Sequence, residues 1–435
     1  MTVREESSRI IKPIYEGTPP STTHHIPLSI FDKVSYDMHV AVIFAYRPPT
    51  PPNRALELGL QKALSVYREL AGRLDKNDKG ETVILLNDEG VRFVEASVDG
   101  TLNQVMPLKY SKSLLSLHPT VKNVVELAQF QITRFSCGSM VVGFTSHHLI
   151  TDGQSASNFL VAWGQACRGV EINPSPIHSR DMFTPRDPPK IEFEHRGVEF
   201  KSKETQKDYT IDNNNVMDDI VVHKIHFTLD FLAKLKAKAS SMNRENKPYT
   251  TFESLVAHLW RVITKARSLT GDETTYIRIP VNGRARLSPR VPNEYFGNLV
   301  LWAFPTTKVK DLLLEPLPYA AKLIHEAVTK MNDNYYKSFI DFASHKVVEE
   351  DLIPTADADN LVRFPNLDVE SWLQFPFYDI DLGEGRPYIF MPSYMPLHGL
   401  IFLLPSFNGD GSIDSFIPLL QDHMDSFEQI CYSLD

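Results

Sequence analysis

The segment HHLITDG at residues 147–153 contains the side chains best suited to chemistry. The imidazole of His148 titrates near neutral pH, so it can take the proton from an amine or alcohol that attacks an acyl group. Asp152 follows four residues later, and Gly153 is expected to let the backbone turn into the next element. We therefore predict that His148 is the general base of an acyl transfer. If the acyl donor is an activated thioester, no covalent enzyme intermediate is required.

Other interpretations compete with this one. Among 15 histidines, one His-x-x-x-Asp pattern can arise by chance, and a buried histidine bonded to a backbone carbonyl is common. His147 is a second candidate for the base, although the spacing to Asp152 favours His148. A zinc site from the two histidines is disfavoured, because neighbouring strand residues point to opposite faces and no further ligand completes the set. We therefore expect no metal.

The elements around the motif must place His148 at the end of a strand. Residues 139–145 predict a buried strand, and residues 154–167 predict a helix. Residues 39–46 predict another strand, and residues 54–71 predict an amphipathic helix that stops at Gly72. Because strands and helices alternate along the chain, we predict an α/β (α+β) fold with mixed sheets flanked by helices.

The sequence divides into two halves of similar size. Residues 186–225 include a charged, Asn-rich stretch, which is typical of a linker that crosses the surface. We predict an N-terminal domain at 1–185, a crossover linker at 186–225, and a C-terminal domain at 226–435.

The composition disfavours several classes of partner. The chain of 435 residues is 42% apolar and 23% charged, as in ordinary globular proteins. Its formal net charge of −9 disfavours nucleic acid and anionic membranes, which select basic surfaces, and is compatible with a cationic small substrate. The three cysteines lie far apart, so a reducing compartment is the simplest interpretation. We expect a cytoplasmic monomer without a permanently bound cofactor.

Several stretches resemble the plant BAHD acyltransferase family. That family carries a His-x-x-x-Asp-Gly motif, matched at residues 148–153, and an Asp-Phe-Gly-Trp-Gly motif, which reads DLGEG at residues 381–385. Further similar stretches occur in the same order and cover nearly the whole chain: AGRL at 71–74, TFESLVAHLWR at 251–261, NGRAR at 282–286 and YFGN at 295–298. Matches in register are far more specific than either motif alone.

The resemblance implies a fold and a co-substrate. It implies two domains of the chloramphenicol acetyltransferase type with an active-site channel between them, in which acyl-CoA and the acceptor meet at His148. By the same analogy, Thr250 and Thr251 would lie near the coenzyme A. The same hydroxyls are equally suited to cap the helix that follows them.

The resemblance also assigns structural roles. It implies that Asp152 points away from the substrates and pairs with an arginine, for which Arg284 is the candidate. Without the family, Arg284 could equally be a solvated loop cation. Asp381, together with Gly383 and Gly385, is expected to hold a loop, and we expect backbone amides or a hydroxyl near that loop to stabilise the oxyanion.

Two departures from the family pattern concern the acceptor. Family members that acylate shikimate or quinate carry an arginine where this chain has Gln374, which cannot form a bidentate charged clamp. Glu384 replaces the motif tryptophan and is a candidate anchor for an ammonium or guanidinium group, or else a solvated loop glutamate. Glu370 and Asp379 could add negative potential near the acceptor.

The strand at residues 39–46 is the predicted wall for the acyl group. His39, Val40, Val42 and Phe44 occupy positions that hydroxycinnamoyl-shikimate members fill with His, Thr, Ser and Tyr. The more apolar wall suits a flat aromatic acyl group, although such a strand is more often simply core.

The likeness is strongest to the branch that transfers hydroxycinnamoyl groups, such as coumaroyl or feruloyl, to amines such as agmatine or putrescine, giving phenolamides. The segments that carry this likeness include YRELAGRL, ILLNDEG, NFLVAWGQACRG and FMPSYMPLHGL. An alcohol acceptor, an aromatic amine such as tryptamine, and a non-catalytic partner role are the alternatives.

Overall fold

The computed structural model describes residues 2–105, 111–203, 220–242, 247–356, 364–395 and 397–434. The chain forms two compact units: unit 1 comprises Met1–Pro185, Val291–Leu299 and Phe375–Tyr394, and unit 2 comprises Arg186–Arg290, Val300–Gln374 and Met395–Asp435. The C-terminal domain predicted at 226–435 is therefore interrupted, since two of its segments belong to unit 1. In the predicted linker at 186–225, residues 204–219 lie outside the described residues, and residues 220–225 belong to a strand.

In chain order, the strands are β1 (Arg4–Ile11), β2 (His25–Pro27), β3 (His39–Tyr46), β4 (Arg73–Lys76), β5 (Thr82–Leu85), β6 (Val91–Val98), β7 (Ala128–Phe135), β8 (Met140–His147), β9 (Phe200–Ser202), β10 (Ile220–Phe227), β11 (Thr274–Asn282), β12 (Val300–Ala303), β13 (Thr306–Lys308), β14 (Leu352–Pro354), β15 (Leu367–Ser371), β16 (Ile389–Pro392), β17 (Leu400–Pro405) and β18 (Ile413–Leu420). The helices are α1 (Ile30–Lys33), α2 (Asn53–Val66), α3 (Leu102–Val105), α4 (Gly153–Cys167), α5 (Leu229–Ala239), α6 (Thr251–Ala266), α7 (Val309–Leu314), α8 (Leu317–Lys330), α9 (Asp333–Glu349) and α10 (Gln421–Ile430).

The elements predicted around the motif are confirmed. β3 has the predicted bounds, and β8 and α4 begin and end within two residues of theirs. The helix predicted over 54–71 is shorter than expected. Tyr67 leaves the helical region with φ −109° and ψ 62°, so α2 ends at Val66 and residues 68–71 form a separate 3₁₀ turn before Gly72.

A six-stranded mixed sheet is the core of unit 1, in the order β1-β6-β7-β8-β3-β16. Only β6 and β7 run parallel among these strands. β8 is buried along its whole length, as its apolar sequence predicts. On one face, Phe130 and Phe144 of the sheet pack with Phe159 of α4 at centroid distances of 5.1–6.1 Å. This packing fixes the connection from β8 to α4, which contains the histidine motif.

Unit 2 is built on a second mixed sheet, in the order β10-β18-β17-β15-β11-β12, with β13 also paired to β11. β15 lies between two parallel neighbours, β11 and β17. The apolar helix α6 is buried on most sides, and Trp260 donates from Nε1 to the Thr275 hydroxyl at 3.2 Å. Each unit thus has a mixed sheet and helices, as predicted. Within the described ranges, no helix has both the length and the apolar character needed to cross a membrane.

Candidate active site

His148 is the first residue after β8. Its backbone N–H donates to the Met38 carbonyl at 2.8 Å, which holds it beside the start of β3. The imidazole is half-buried, and its Nδ1 lies 2.7 Å from the Ser35 hydroxyl. Burial lowers the pKa of His148, an effect opposed by its own backbone carbonyl and by Asp152. The ring is therefore neutral at neutral pH, as a general base must be.

His147 points to the other face of the sheet. It lies directly opposite His39 in the β3–β8 register, and the two rings meet edge to face at a centroid distance of 4.7 Å. Burial, together with repulsion from His39 and His148, lowers the pKa of His147 to about 3. A buried imidazole packed against a second histidine is less suited to proton transfer, so the geometry favours His148.

A chain of buried polar groups continues from Ser35. The Ser35 hydroxyl lies 3.2 Å from Asn298 Oδ1, and Asn298 Nδ2 donates to Asp32 Oδ1 at 2.9 Å and to the His148 carbonyl at 2.9 Å. Asp32 forms an ion pair with Arg180, and both side chains are almost completely buried. All of these residues belong to unit 1. The environment of His148 is therefore built by α1, its following turn, and the 291–299 segment.

Asp152 holds the start of α4 and the 291–299 segment together. One carboxylate oxygen accepts from the Ser155 N–H at 2.9 Å, as an N-cap, and the other accepts from the Leu299 N–H at 3.1 Å. The Ser155 hydroxyl in turn donates to the Gly297 carbonyl at 2.8 Å. These contacts support the predicted structural role of Asp152. Arg284 is buried in unit 2, and its pairing with Asp152 stays a prediction.

Gly153 is required by packing rather than by a turn. Its φ lies outside the left-handed region, so the expectation that it bends the backbone is wrong. A Cβ at this position would lie 2.5 Å from the ring of Phe375. The start of α4 can approach this ring only because the residue has no side chain.

Asp381 holds its own loop, as predicted. Its Oδ1 accepts from the N–H groups of Gly383 at 2.8 Å and Gly385 at 3.0 Å. Both glycines have positive φ values, +125° and +114°, which other residues rarely adopt. Arg168, at the end of α4, pairs with Asp381 at 3.7 Å. Because these two N–H groups already donate to Asp381, they are poor candidates for the oxyanion donors, and a role for another amide or a hydroxyl near the loop stays a prediction.

Glu384 lies in that loop, at the opposite end of unit 1 from His148. The loop pairs with Arg168, which follows the last residue of α4. With a helix rise of 1.5 Å per residue, Arg168 lies about 22 Å from Gly153, where α4 begins next to the histidine motif. Tyr46, which donates to the Ile380 carbonyl at 3.1 Å, ends a strand that runs about 23 Å from His39. Agmatine spans only about six bonds, or roughly 7 Å, from its amine to its guanidinium carbon. The exposed Glu384 therefore does not fit the predicted anchoring role.

The predicted acyl-binding residues of β3 do not share one face. Alternation along the strand places His39 on the face opposite to Val40, Val42 and Phe44, and His39 Nε2 bonds the Glu126 carbonyl at 2.9 Å. Grouping His39 with the acyl wall is therefore wrong. Val42 and Phe44 are buried in the core of unit 1, where Phe44 packs against Phe377 and Phe390 in the same unit. Val40 is half-buried.

Glu370 is a half-buried carboxylate on β15 of unit 2. Two residues earlier on the same face, Asp368 forms a bidentate pair with Arg278. Within the described part of the chain, the Glu370 carboxylate has no hydrogen-bond partner. Burial raises the pKa of Glu370 to about 7, with Arg278 opposing and Asp368 reinforcing the shift. A positive charge next to Glu370 would favour its ionised form.

The other predicted acceptor residues are exposed. Gln374 is exposed at the end of its segment of unit 2. Asp379 is exposed and pairs with Arg386 at 3.3 Å in unit 1.

Thr250 is a helix cap. Its hydroxyl accepts from the Glu253 N–H at 3.1 Å, and the Glu253 carboxylate accepts from the Thr250 backbone N–H at 2.7 Å, which completes a capping box for α6. Thr251 is the first helical residue. The capping alternative is confirmed for Thr250, and contact of either threonine with coenzyme A stays a prediction. Within the ranges that the structure describes, no group of histidine, cysteine and acidic side chains could hold a metal ion.

Sequence reasoning missed four residues around His148: Ser35, Asn298, Asp32 and Arg180. A local signal was available for one of them. Ser29 and Asp32 have the capping-box spacing and form that box at α1. Ser35 and Asn298 are 263 positions apart, so no local pattern connects them.

Comparison with known proteins places the chain in a family. A model of the Transferase family matches residues 1–434. Agmatine hydroxycinnamoyltransferase 1 of Oryza sativa subsp. japonica is 49% identical over 451 residues, covering 100% of this chain and 99% of the relative. Putrescine hydroxycinnamoyltransferase 3 of the same species is 45% identical over 442 residues, covering 100% of this chain and 100% of the relative.

A solved structure supports the fold. TRI101 of F. sporotrichioides in complex with coenzyme A and T-2 superposes with a TM-score of 0.75 at 16% identity, covering 94% of this chain and 97% of that chain. The predicted fold class is confirmed. The predicted active-site channel stays a prediction.

Proposed function

Because this chain belongs to the Transferase family of BAHD acyltransferases, we propose that it is an acyl-CoA-dependent N-acyltransferase. It transfers a hydroxycinnamoyl group from coenzyme A to a small aliphatic amine such as agmatine or putrescine, and the products are a phenolamide and free coenzyme A. The observation that carries the proposal is a neutral, half-buried His148 in a chain that is 49% identical to an agmatine hydroxycinnamoyltransferase over its whole length.

The chemistry requires one base. The neutral amine nitrogen attacks the thioester carbonyl, forming a C–N bond, and His148 takes the proton that the nitrogen loses. The tetrahedral intermediate then expels the thiolate by breaking the C–S bond, and His148 returns the proton to sulfur. An aliphatic amine has a pKa near 10.4, so it must lose its ammonium proton before it can attack.

The carboxylate of Glu370 supports a cationic acceptor. Glu370 is half-buried with a raised pKa and without a hydrogen-bond partner among the described residues, whereas Arg278 is already bonded to Asp368. A guanidinium or ammonium group would offset the cost of ionising Glu370. Agmatine and putrescine each retain a cationic end after the reacting amine is deprotonated, whereas tryptamine and shikimate do not.

The first experiment measures products by mass spectrometry over a matrix of acyl-CoAs and acceptors. We expect coumaroyl-CoA and feruloyl-CoA to give amides with agmatine or putrescine in preference to tryptamine, and no ester with shikimate. The His148→Ala variant should lower kcat by a factor of about 10²–10⁴. A preference for shikimate would establish the O-acyltransferase alternative. Wild-type turnover in His148→Ala would refute the proposed chemistry.

The second experiment tests the acceptor anchor. Glu370→Gln keeps the size of the side chain but removes its charge. We expect it to raise the KM for agmatine about tenfold, with the KM for coumaroyl-CoA and for tryptamine within about twofold of wild type. Glu384→Gln is the matched control, since that glutamate is exposed at the far end of unit 1. Equal increases of KM for agmatine, tryptamine and coumaroyl-CoA would contradict the anchoring role of Glu370.

A further inference from the structure

A hydrogen-bond network runs from Asp32 through Asn298 and Ser35 to His148. This network determines which imidazole nitrogen of His148 carries the proton. We propose that Ser35 is a positioning residue that holds neutral His148 with the proton on Nδ1 and the lone pair on Nε2. This inference rests on the proposed role of His148 as the base. It adds a residue outside both sequence motifs.

The network begins at Asp32, whose carboxylate oxygens are surrounded by hydrogen-bond donors. Its carboxylate is paired with Arg180, which remains charged at any pH the protein tolerates. It also accepts from the backbone N–H groups of Ser29 at 2.8 Å and Asn298 at 2.9 Å. Because all of these groups donate to the two carboxylate oxygens, Asp32 is the hydrogen-bond acceptor towards Asn298.

The orientation of the Asn298 amide follows from Asp32. One end of the amide lies 2.9 Å from Asp32 Oδ1 and 2.9 Å from the His148 carbonyl oxygen. Both of these atoms are acceptors, so that end must be the NH₂ group. The other end, Oδ1, therefore faces Ser35 at 3.2 Å. An amide oxygen can only accept.

Ser35 has one proton, and its neighbours decide where that proton lies. Asn298 Oδ1 and, at 3.4 Å, the His148 carbonyl both accept. When the Ser35 O–H donates to Asn298, its oxygen is available to accept at 2.7 Å from His148 Nδ1–H. The opposite arrangement would aim the Ser35 proton at Nδ1 and leave the Ser35 and Asn298 oxygens facing each other without a proton between them. The network therefore favours the Nδ1–H tautomer.

This tautomer matters for the reaction. With Nδ1 committed to Ser35, the lone pair of Nε2 is available to take the proton of the attacking amine. When the ring becomes cationic, its Nδ1–H bond to the Ser35 oxygen becomes charge-assisted and stronger. An imidazole with no partner at Nδ1 divides its proton between the two nitrogens, and the Nε2–H form cannot act as a base at that atom.

The test compares Ser35→Ala with Ser35→Thr. Ser35→Ala should lower kcat about 10- to 100-fold at all pH values on the plateau of the rate profile, the range expected for losing one hydrogen bond to a group that becomes charged. The KM values for coumaroyl-CoA and agmatine should stay within about twofold of wild type. Ser35→Thr retains the hydroxyl and should recover most of the activity. Ser157→Ala is the matched control, because Ser157 is a buried serine of unit 1 whose hydroxyl donates to the Gln154 carbonyl within α4.

A double-mutant cycle with His148 separates positioning from general structural damage. If Ser35 acts through the imidazole, Ser35→Ala should have no further effect in the His148→Ala background. An equal loss in both backgrounds would overturn the proposal, as would wild-type kcat in Ser35→Ala. A failure of Ser35→Thr to recover activity while its melting temperature is unchanged would do the same. Activity retained in His148→Ala itself would instead refute the proposed function, so the two failures are distinguishable.

Discussion

Removing the charge of Arg180 should destabilise unit 1 far more than its position outside the motifs suggests. Arg180 and Asp32 are almost completely buried and paired, and Arg180 also donates to the Ile150 carbonyl at 2.9 Å. Arg180→Met would leave the Asp32 carboxylate buried without a counter-charge. Such a change costs about 3–5 kcal/mol. For a domain of this size, about 2–4 °C per kcal/mol predicts a melting temperature roughly 6–20 °C lower.

The assay is thermal unfolding followed by circular dichroism and calorimetry at pH 7. The double variant Asp32→Asn/Arg180→Met restores neutrality and should unfold at a higher temperature than Arg180→Met alone. Arg4→Met is the control, because Arg4 pairs with Glu6 at the surface of unit 1 and its loss should give no measurable shift. A decrease below about 3 °C in Arg180→Met, or a double variant no more stable than the single one, would refute the reasoning.

Four further predictions follow from the described contacts. Gly153→Ala should lower the free energy of unfolding by denaturant by about 1–3 kcal/mol, because its Cβ would lie 2.5 Å from the Phe375 ring. Phe375→Leu should recover part of that loss, and an additive effect of the two changes would contradict the packing explanation. Glu384→Gln should leave the KM for agmatine within about twofold of wild type, since the exposed side chain lies roughly 20 Å from His148; a tenfold increase would return Glu384 to the acceptor site. Because the pKa of Glu370 is about 7, its ionised fraction rises about tenfold from pH 6 to pH 8, so the KM for agmatine should fall by about that factor in wild type and not in Glu370→Gln. Burial lowers the pKa of His258 to about 4, so the free energy of unfolding should decrease as the pH falls from 6.5 towards 4, by about 1.4 kcal/mol per pH unit from this group. Measurements of the free energy of unfolding against pH should show a shallower slope in that window for His258→Gln.

Much of the fold of unit 1 could be predicted from local patterns. Apolar continuity predicted β8, and helical periodicity predicted α4, because both signals are contained in a few neighbouring residues. The return of residues 291–299 and 375–394 to unit 1 could not be predicted in this way, since long-range packing decides which unit a segment joins.

The candidate site shows the same division. Strand alternation would have separated His39 from Val40, Val42 and Phe44 on sequence evidence alone, and the family comparison obscured that signal. The similarity of its motif to one of the family predicts that Glu384 lies near the chemistry, yet the ends of α4 and β3 place it far from His148. Proximity in a motif does not establish proximity in space.

By itself, the sequence determined the type of chemistry. An imidazole at the end of a buried strand, followed by a carboxylate and a glycine, is a local arrangement that adjacent residues specify through backbone geometry. Only the tertiary structure decided which nitrogen of His148 bears the proton and what holds it there. Ser35, Asn298 and Asp32 meet across separations of up to 266 positions. Hydrogen-bond direction depends on which donors and acceptors are brought within about 3 Å of one another, and only the folded chain does that.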